Sequence, residues 1–145
     1  MTELTIPSTL KSAVSIVSHC KNLKKLTLLS APSKISRIAS YCDSLETLII
    51  GEGLTTLTDS CIYSCSNLKT VVLPKTLTTV ERLGISGCGK NVNVLISSPE
   101  KAQSIIDQFT SWAQIYTFYV YSSTAPTQAD QNFWHYNDNG EPVIW

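Results

Sequence analysis

The sequence predicts an α+β repeat fold: a short right-handed β-solenoid, or horseshoe, of about four coils over residues 1–97, with a C-terminal cap over residues 98–145 completing one structural unit. Three observations predict it. Cys20, Cys42, Cys65 and Cys88 stand 22, 23 and 23 residues apart, and a fixed period of that order is the mark of stacked coils. Each cysteine opens the same apolar phrase: Leu23, Leu26, Leu28; Leu45, Leu48, Ile50; Leu68, Val71, Leu73. After Ile96 the phrase stops and aromatics take over; of 3 Trp, 6 Tyr and 3 Phe, all but Tyr41 and Tyr63 follow residue 100.

Each coil starts with a strand, because "LKTVVL" and "LETLII" alternate apolar and outward positions. Pro7, Pro32, Gly53 and Pro74 then punctuate a turn. Leu10, Ile35, Leu54 and Leu77 are expected on a second strand or extended rung. A short helical or irregular turn should follow in "SIVSHC", "RIASYC", "SCIYSC" and "LGISGC". The fourth copy, "CGKNVNVLIS", keeps Val94 and Ile96 but puts Asn91 where the first leucine stands. Beyond it, Ser98 reads as an N-cap, with Pro99 at the first helical position and Glu100 in the first turn. Ile105, Ile106, Phe109, Trp112 and Ala113 recur at helical spacing, which predicts a helix over 99–113. A strand over 115–122 and a hairpin over 133–145, turning at Asn137–Gly140, complete the chain. A solenoid exposes its core at its last coil, and helix, strand and hairpin are expected to cover it with large aromatics.

"LTIPSTL" with "C..L..L.L", and "LKTVVLPKTLTTV" before a cysteine, resemble the BspA-like leucine-rich repeat. The resemblance runs from residue 4 to about residue 97. "LLSAPSK" departs from its Ile-Pro turn and is one residue short, and its helical turn is poorly kept. The closing segment "YVYSSTAPTQADQNFWHYNDNGEPVIW" also resembles the ending of bacterial proteins of this type. The resemblance implies a scaffold serving attachment, adhesion or recognition, not a particular chemistry.

Composition narrows the rest. Eleven basic and eleven acidic residues cancel, which gives no footprint for nucleic acid. No run approaches the roughly 18 apolar residues of a membrane helix, so no membrane insertion is expected. The given residues open with no signal-peptide pattern. A segment of a longer cell-surface protein, a cytoplasmic protein and a structural or host-recognition part of a bacteriophage virion all fit. The cysteine spacing is too wide for a metal knuckle, and five thiols cannot all pair. Cys20, Cys42, Cys65 and Cys88 are therefore expected as a reduced, buried ladder, a small apolar filler in each coil. His19 and His135 lack the neighbours of a catalytic constellation, so no catalytic residue, metal or cofactor is expected.

Three surfaces invite a partner. Lys25, Thr27, Thr47, Ile49, Thr70, Val72, Asn93 and Leu95 point away from the core. They read either as β-branched filling or as a protein-contact stripe. Trp134, Tyr136 and Trp145 suggest a carbohydrate platform as the alternative. The N-terminal coil offers an open edge for an upstream domain, another subunit or a neighbouring copy's acidic cap. Residues 1–40 hold six basic and one acidic residue; residues 100–145 hold one basic and five acidic.

Overall fold

A computed structural model describes residues 1–109, 115–128 and 132–145. The first coil holds β1 (Glu3–Ile6) and β2 (Ser15–Ser18). The second holds β3 (Lys25–Ser30), β4 (Lys34–Ile35) and β5 (Arg37–Ser40). The third repeats this as β6 (Thr47–Glu52), β7 (Thr56–Leu57) and β8 (Ile62–Tyr63). The fourth has β9 (Thr70–Leu73), β10 (Thr79–Val80) and β11 (Ile85–Ser86). Then come β12 (Asn91–Ile96), a 3-10 turn at Pro99–Lys101, α1 (Ala102–Ile106), β13 (Ile115–Tyr121), β14 (Phe133–Tyr136) and β15 (Pro142–Ile144). The result is a β-solenoid of about five turns with one short helix and C-terminal strands.

Like strands stack in parallel. The main sheet runs β1-β3-β6-β9-β12-β13-β14-β15, with two smaller sheets, β10-β7-β4 and β11-β8-β5-β2. The register is the sequence period made physical: Leu26 lies beside Leu48, and Leu48 beside Val71. Each inward column is apolar because every coil must offer its neighbour the same kind of surface. Leu26, Leu28, Leu48, Leu54, Leu57 and Leu73 are fully buried. Threonines tie coil to coil: Thr58 Oγ1 donates to the Ile35 carbonyl, Thr76 Oγ1 to that of Leu54 and Thr78 Oγ1 to that of Thr55.

Several expectations change. The segments expected as helical or irregular turns before each cysteine are strands β2, β5, β8 and β11. A ladder of parallel neighbours satisfies their backbone groups better than an isolated turn can. In the second rung Ile35 pairs with Leu57, not with Leu54; the offset there is 22 residues, as between β3 and β6, which puts Leu54 in the column of Pro32. The α-helix ends at Ile106, and Phe109 is already outside it; the 110–113 part of the expected helix lies outside the described residues. The Ser98 hydroxyl does not cap a backbone N–H. It donates to Glu100 Oε1 at 2.6 Å, which holds that carboxyl below its usual range.

The slot before each cysteine has a backbone reason. His19, Tyr41, Ser64 and Gly87 have φ of 55°, 51°, 51° and 62°. Left-handed backbone turns the chain at this corner, and only glycine adopts it without cost. The side chains point outward and stack in part: the His19 and Tyr41 rings lie 4.9 Å apart.

No disulfide joins the cysteines. Cys42, Cys61 and Cys65 are buried, whereas Cys20 and Cys88 are half-buried. Cys20 and Cys88, the two ends of the column, thus depart from the fully buried ladder. Burial pushes the Cys42 thiol up to about 11. A hydrogen bond with Cys88 and burial raise Cys65, and the same bond lowers Cys88.

Candidate functional site: the outer face of the main sheet

Pleating sends alternate residues of the main sheet outward. Lys25, Thr47, Thr70 and Asn93 form one outward column in direct register. Thr27, Ile49, Val72 and Leu95 form the next, and Tyr119 extends it. The first column lies half-open along its length. It is rimmed by an ion pair, Lys69 Nζ to Glu46 Oε2 at 2.7 Å, which lowers the Glu46 carboxyl.

The second column is occupied by the chain itself. Only two residue pairs join β14 to β13, Val120 with Phe133 and Tyr121 with Trp134. The β14–β15 hairpin then lies back across the outer face. Trp134 is 0% exposed and packs with Val72 and Leu95, each 1% exposed, with Ile49, Tyr119 and Tyr121 around them. Its indole N–H donates to the Ile96 carbonyl at 3.0 Å. Farther along the hairpin, Glu141 meets Lys25 Nζ at 2.7 Å. Val72 and Leu95, expected as part of an exposed stripe, are therefore a second small core. Their outward apolar character is explained by a tryptophan folded over them.

This arrangement also corrects the aromatic platform. Trp134 is spent on Val72, Leu95 and its own hydrogen bond, so it offers no face to a sugar. Tyr136 and Trp145 remain 45% and 42% exposed. Trp145 stacks on His135 at 3.7 Å, which covers one of its faces. A cleft of about 310 Å³ lies between hairpin and sheet, lined by Glu52, Lys75, Ser97, Tyr121, Trp134 and Tyr136. Glu52 already accepts the backbone N–H groups of Lys75 and Thr76. Burial, and then the Glu52 carboxylate, raise the Tyr136 phenol above its ordinary value.

Other aromatics close the interior. The Phe109 ring meets those of Tyr116 at 5.1 Å and Phe118 at 5.2 Å, beneath the last coil. The smaller sheets end on side chains. The Val80 N–H donates to Gln108 Oε1 at 2.8 Å, and Gln108 Nε2 donates to the Thr78 carbonyl at 3.1 Å. One amide thus imitates the next strand at the edge of β10. The Tyr116 hydroxyl donates to the Ile85 carbonyl at 2.6 Å and does the same for β11. Sequence reasoning missed Gln108, Tyr116 and Glu141 as structural contacts; the acidic excess of the tail was the one legible signal, and it concerned Glu141.

The profile of the BspA type leucine rich repeat region matches residues 1–111 in six copies. The chain belongs to this repeat family. The match runs past residue 97, where the repeats were expected to stop, and covers α1. Beyond it β13 continues the sheet in parallel register beside β12. No curated protein and no solved structure matches the chain. Leucine-rich repeats of this kind are scaffolds for protein interaction and are typically non-enzymatic. Among the described residues no group of three or more His, Cys, Asp and Glu is placed to hold a metal ion. No helix among them is long and apolar enough to cross a membrane.

Proposed function

We propose that the chain is a protein-interaction module that serves attachment and reads its partner with the open lane of the outer sheet face. The lane is Lys25, Thr47, Thr70 and Asn93, with Thr27 beside its N-terminal end. The observation that carries this reading is the lane's position. It is a half-open column crossing successive coils, bounded on one side by the folded-back hairpin and on the other by the Glu46–Lys69 pair. Short hydroxyl side chains on rigid strands give a flat floor with fixed donors and acceptors. Such a floor suits an extended polypeptide laid across the strands. The Lys25–Glu141 contact closes one end of the lane, so partner binding and the hairpin's seat are coupled there.

A displayed library of proteome fragments, selected on the immobilised protein, tests this. Selected binders should lose the Thr47→Glu, Thr70→Glu double variant and keep Arg37→Glu, which alters the exposed side of β5. Circular dichroism should show both variants folded. Binders that ignore the double variant would remove the lane as the reading surface.

A further inference from the structure

Beyond the seat of Trp134, the outer face runs into the cleft lined by Glu52, Lys75, Ser97, Tyr121, Trp134 and Tyr136, about 310 Å³ in volume. Successive strands build it at their C-terminal ends. Glu52 and Tyr121 are the last residues of β6 and β13, Ser97 follows the last residue of β12, and Lys75 lies just past the end of β9. Its walls are fixed. The Tyr121 and Tyr136 rings stand at 75° and 76° to the buried Trp134 indole, with centroids 5.3 and 5.0 Å from it. The Glu52 carboxylate accepts the Lys75 N–H at 3.1 Å and the Thr76 N–H at 3.0 Å, one on each oxygen. Aromatic walls with a few convergent polar groups are the usual make of a ligand pocket.

What the cleft leaves unpaired decides what it takes. Among the described residues, the Tyr121 and Tyr136 hydroxyls, the Lys75 ammonium and the hydroxyl of Ser97, a residue only 8% exposed, have no hydrogen-bond partner. All four can donate, and the ammonium can do nothing else. Burial and the Glu52 carboxylate raise the Tyr136 phenol, which keeps its proton available. Glu52 and Lys75 balance in charge. A phosphate or carboxylate would meet Glu52, and a free cation would meet Lys75. The complement is therefore neutral, rich in acceptors and flat-faced. Among polypeptides that is a proline-rich stretch. Each proline has a carbonyl and no N–H. Its polyproline II form makes no internal hydrogen bonds, so its carbonyls are open to outside donors. Its shape is already set, so little freedom is lost on docking. Aromatic-lined grooves take such stretches in this way.

We propose that the cleft is a second contact site, which takes a short proline-rich stretch of a partner in polyproline II form, its ring faces against Tyr121 and Tyr136 and its carbonyls on their hydroxyls and on Lys75. The site is separate from the open lane and does not depend on it, because the seat of Trp134 on Val72 and Leu95 stands between them.

Calorimetric titration of the whole chain with an oligoproline peptide tests this, beside a glycine–serine peptide of equal length. The expected result is saturable binding of the oligoproline alone, insensitive to salt because peptide and cleft are neutral. Tyr136→Phe keeps the ring and removes one donor, and should weaken binding about two- to tenfold. Tyr136→Ala should abolish it. Arg37→Glu, on the exposed side of β5, should leave it unchanged. Circular dichroism checks that each variant folds. If Tyr136→Ala does not, Tyr136→Phe and Lys75→Met decide. An absence of oligoproline binding overturns the proposal, as does equal affinity for the glycine–serine peptide. So does binding that falls steeply with salt, or that survives unchanged in folded Tyr136→Phe and Lys75→Met. Uptake of a soluble oligosaccharide in place of the oligoproline, lost in Tyr136→Ala, would make the cleft a sugar site and overturn the proposal as well.

Discussion

At the C-terminal end of the solenoid, the edge of β10 is met by the Gln108 amide and the edge of β11 by the Tyr116 hydroxyl, while β13 carries the main sheet onward. At the N-terminal end of the described chain, β1 has a neighbour on one side alone, and Leu4 and Ile6 are half-buried. Both ends come from the same repeat, so the difference is not one of coil sequence. It arises because the C-terminal coil replaces its two smaller strands with a helix and aromatics. There the Gln108 amide and the Tyr116 hydroxyl make the hydrogen bonds that further strands would otherwise make. A solenoid becomes finite where one coil stops being a coil.

The largest effect that could break this contrast lies at Trp134. Trp134→Ala removes a fully buried ring, leaves the Ile96 carbonyl without its indole donor and uncovers Val72 and Leu95. Chemical denaturation should show a loss of about 3–5 kcal/mol. A loss under about 1 kcal/mol would mean that the hairpin is an appendage to the sealed end.

A paired measurement sharpens the contrast directly. Ile105→Ala, in the buried face of α1, should cost about 2–5 kcal/mol. Leu4→Ala, at the half-open end, should cost about 1 kcal/mol, because much of its side chain is already in water. Equal costs would show the first coil to be as well buried as the last.

Gln108→Ala separates edge capping from packing. It leaves the Val80 N–H and the Thr78 carbonyl without their partners, at a cost of about 1–2 kcal/mol. Hydrogen exchange should quicken at Val80 and remain unchanged at Ile35, two strands away in the same sheet. Uniform quickening would assign the loss to packing.

The smallest effect is a pH dependence of the interior thiols. Folding raises the Cys42 pKa from 9.0 to about 11. The folded chain therefore keeps a proton that the unfolded chain releases. The stability linked to it is complete below about pH 9 and is lost as pH rises toward about 11. Cys42→Ala should flatten that alkaline decline. Native thiol labelling should reach half-buried Cys20, at the open end, before Cys42. Labelling in the reverse order would contradict the packing of both coils.

The repeat was legible because parallel stacking demands one residue type per column. Leu26, Leu48 and Val71 must match in space, so they match in sequence. The corner at His19, Tyr41, Ser64 and Gly87 was illegible for the opposite reason: its constraint is a backbone angle, and outward side chains of four kinds conceal it. The outward column was visible as apolar, but its meaning was not. Ile49, Val72 and Leu95 look the same whether the covering group belongs to a partner or to Trp134. The distance from Val72 to Trp134 along the chain carries no periodic signal, since the hairpin occurs once. Gln108 falls inside the helix expected over 99–113 and carries no signal of its own. Its role depends on where the edge of β10 ends, which only the folded chain reveals.

The contact between Glu141 and Lys25 makes the hairpin a caliper. One jaw is fixed where Trp134 seats on Val72 and Leu95, and the other closes on β3. Coils can in principle be added in blocks of 23 residues, each lengthening the stack by about 4.8 Å. If one were added between β3 and the hairpin, the caliper would keep its span. Glu141 would then close one strand short of Lys25, at the position that Thr47 now holds. An ion pair on the surface thereby registers how many coils the chain contains, and a change in that number would be felt first by a single lysine.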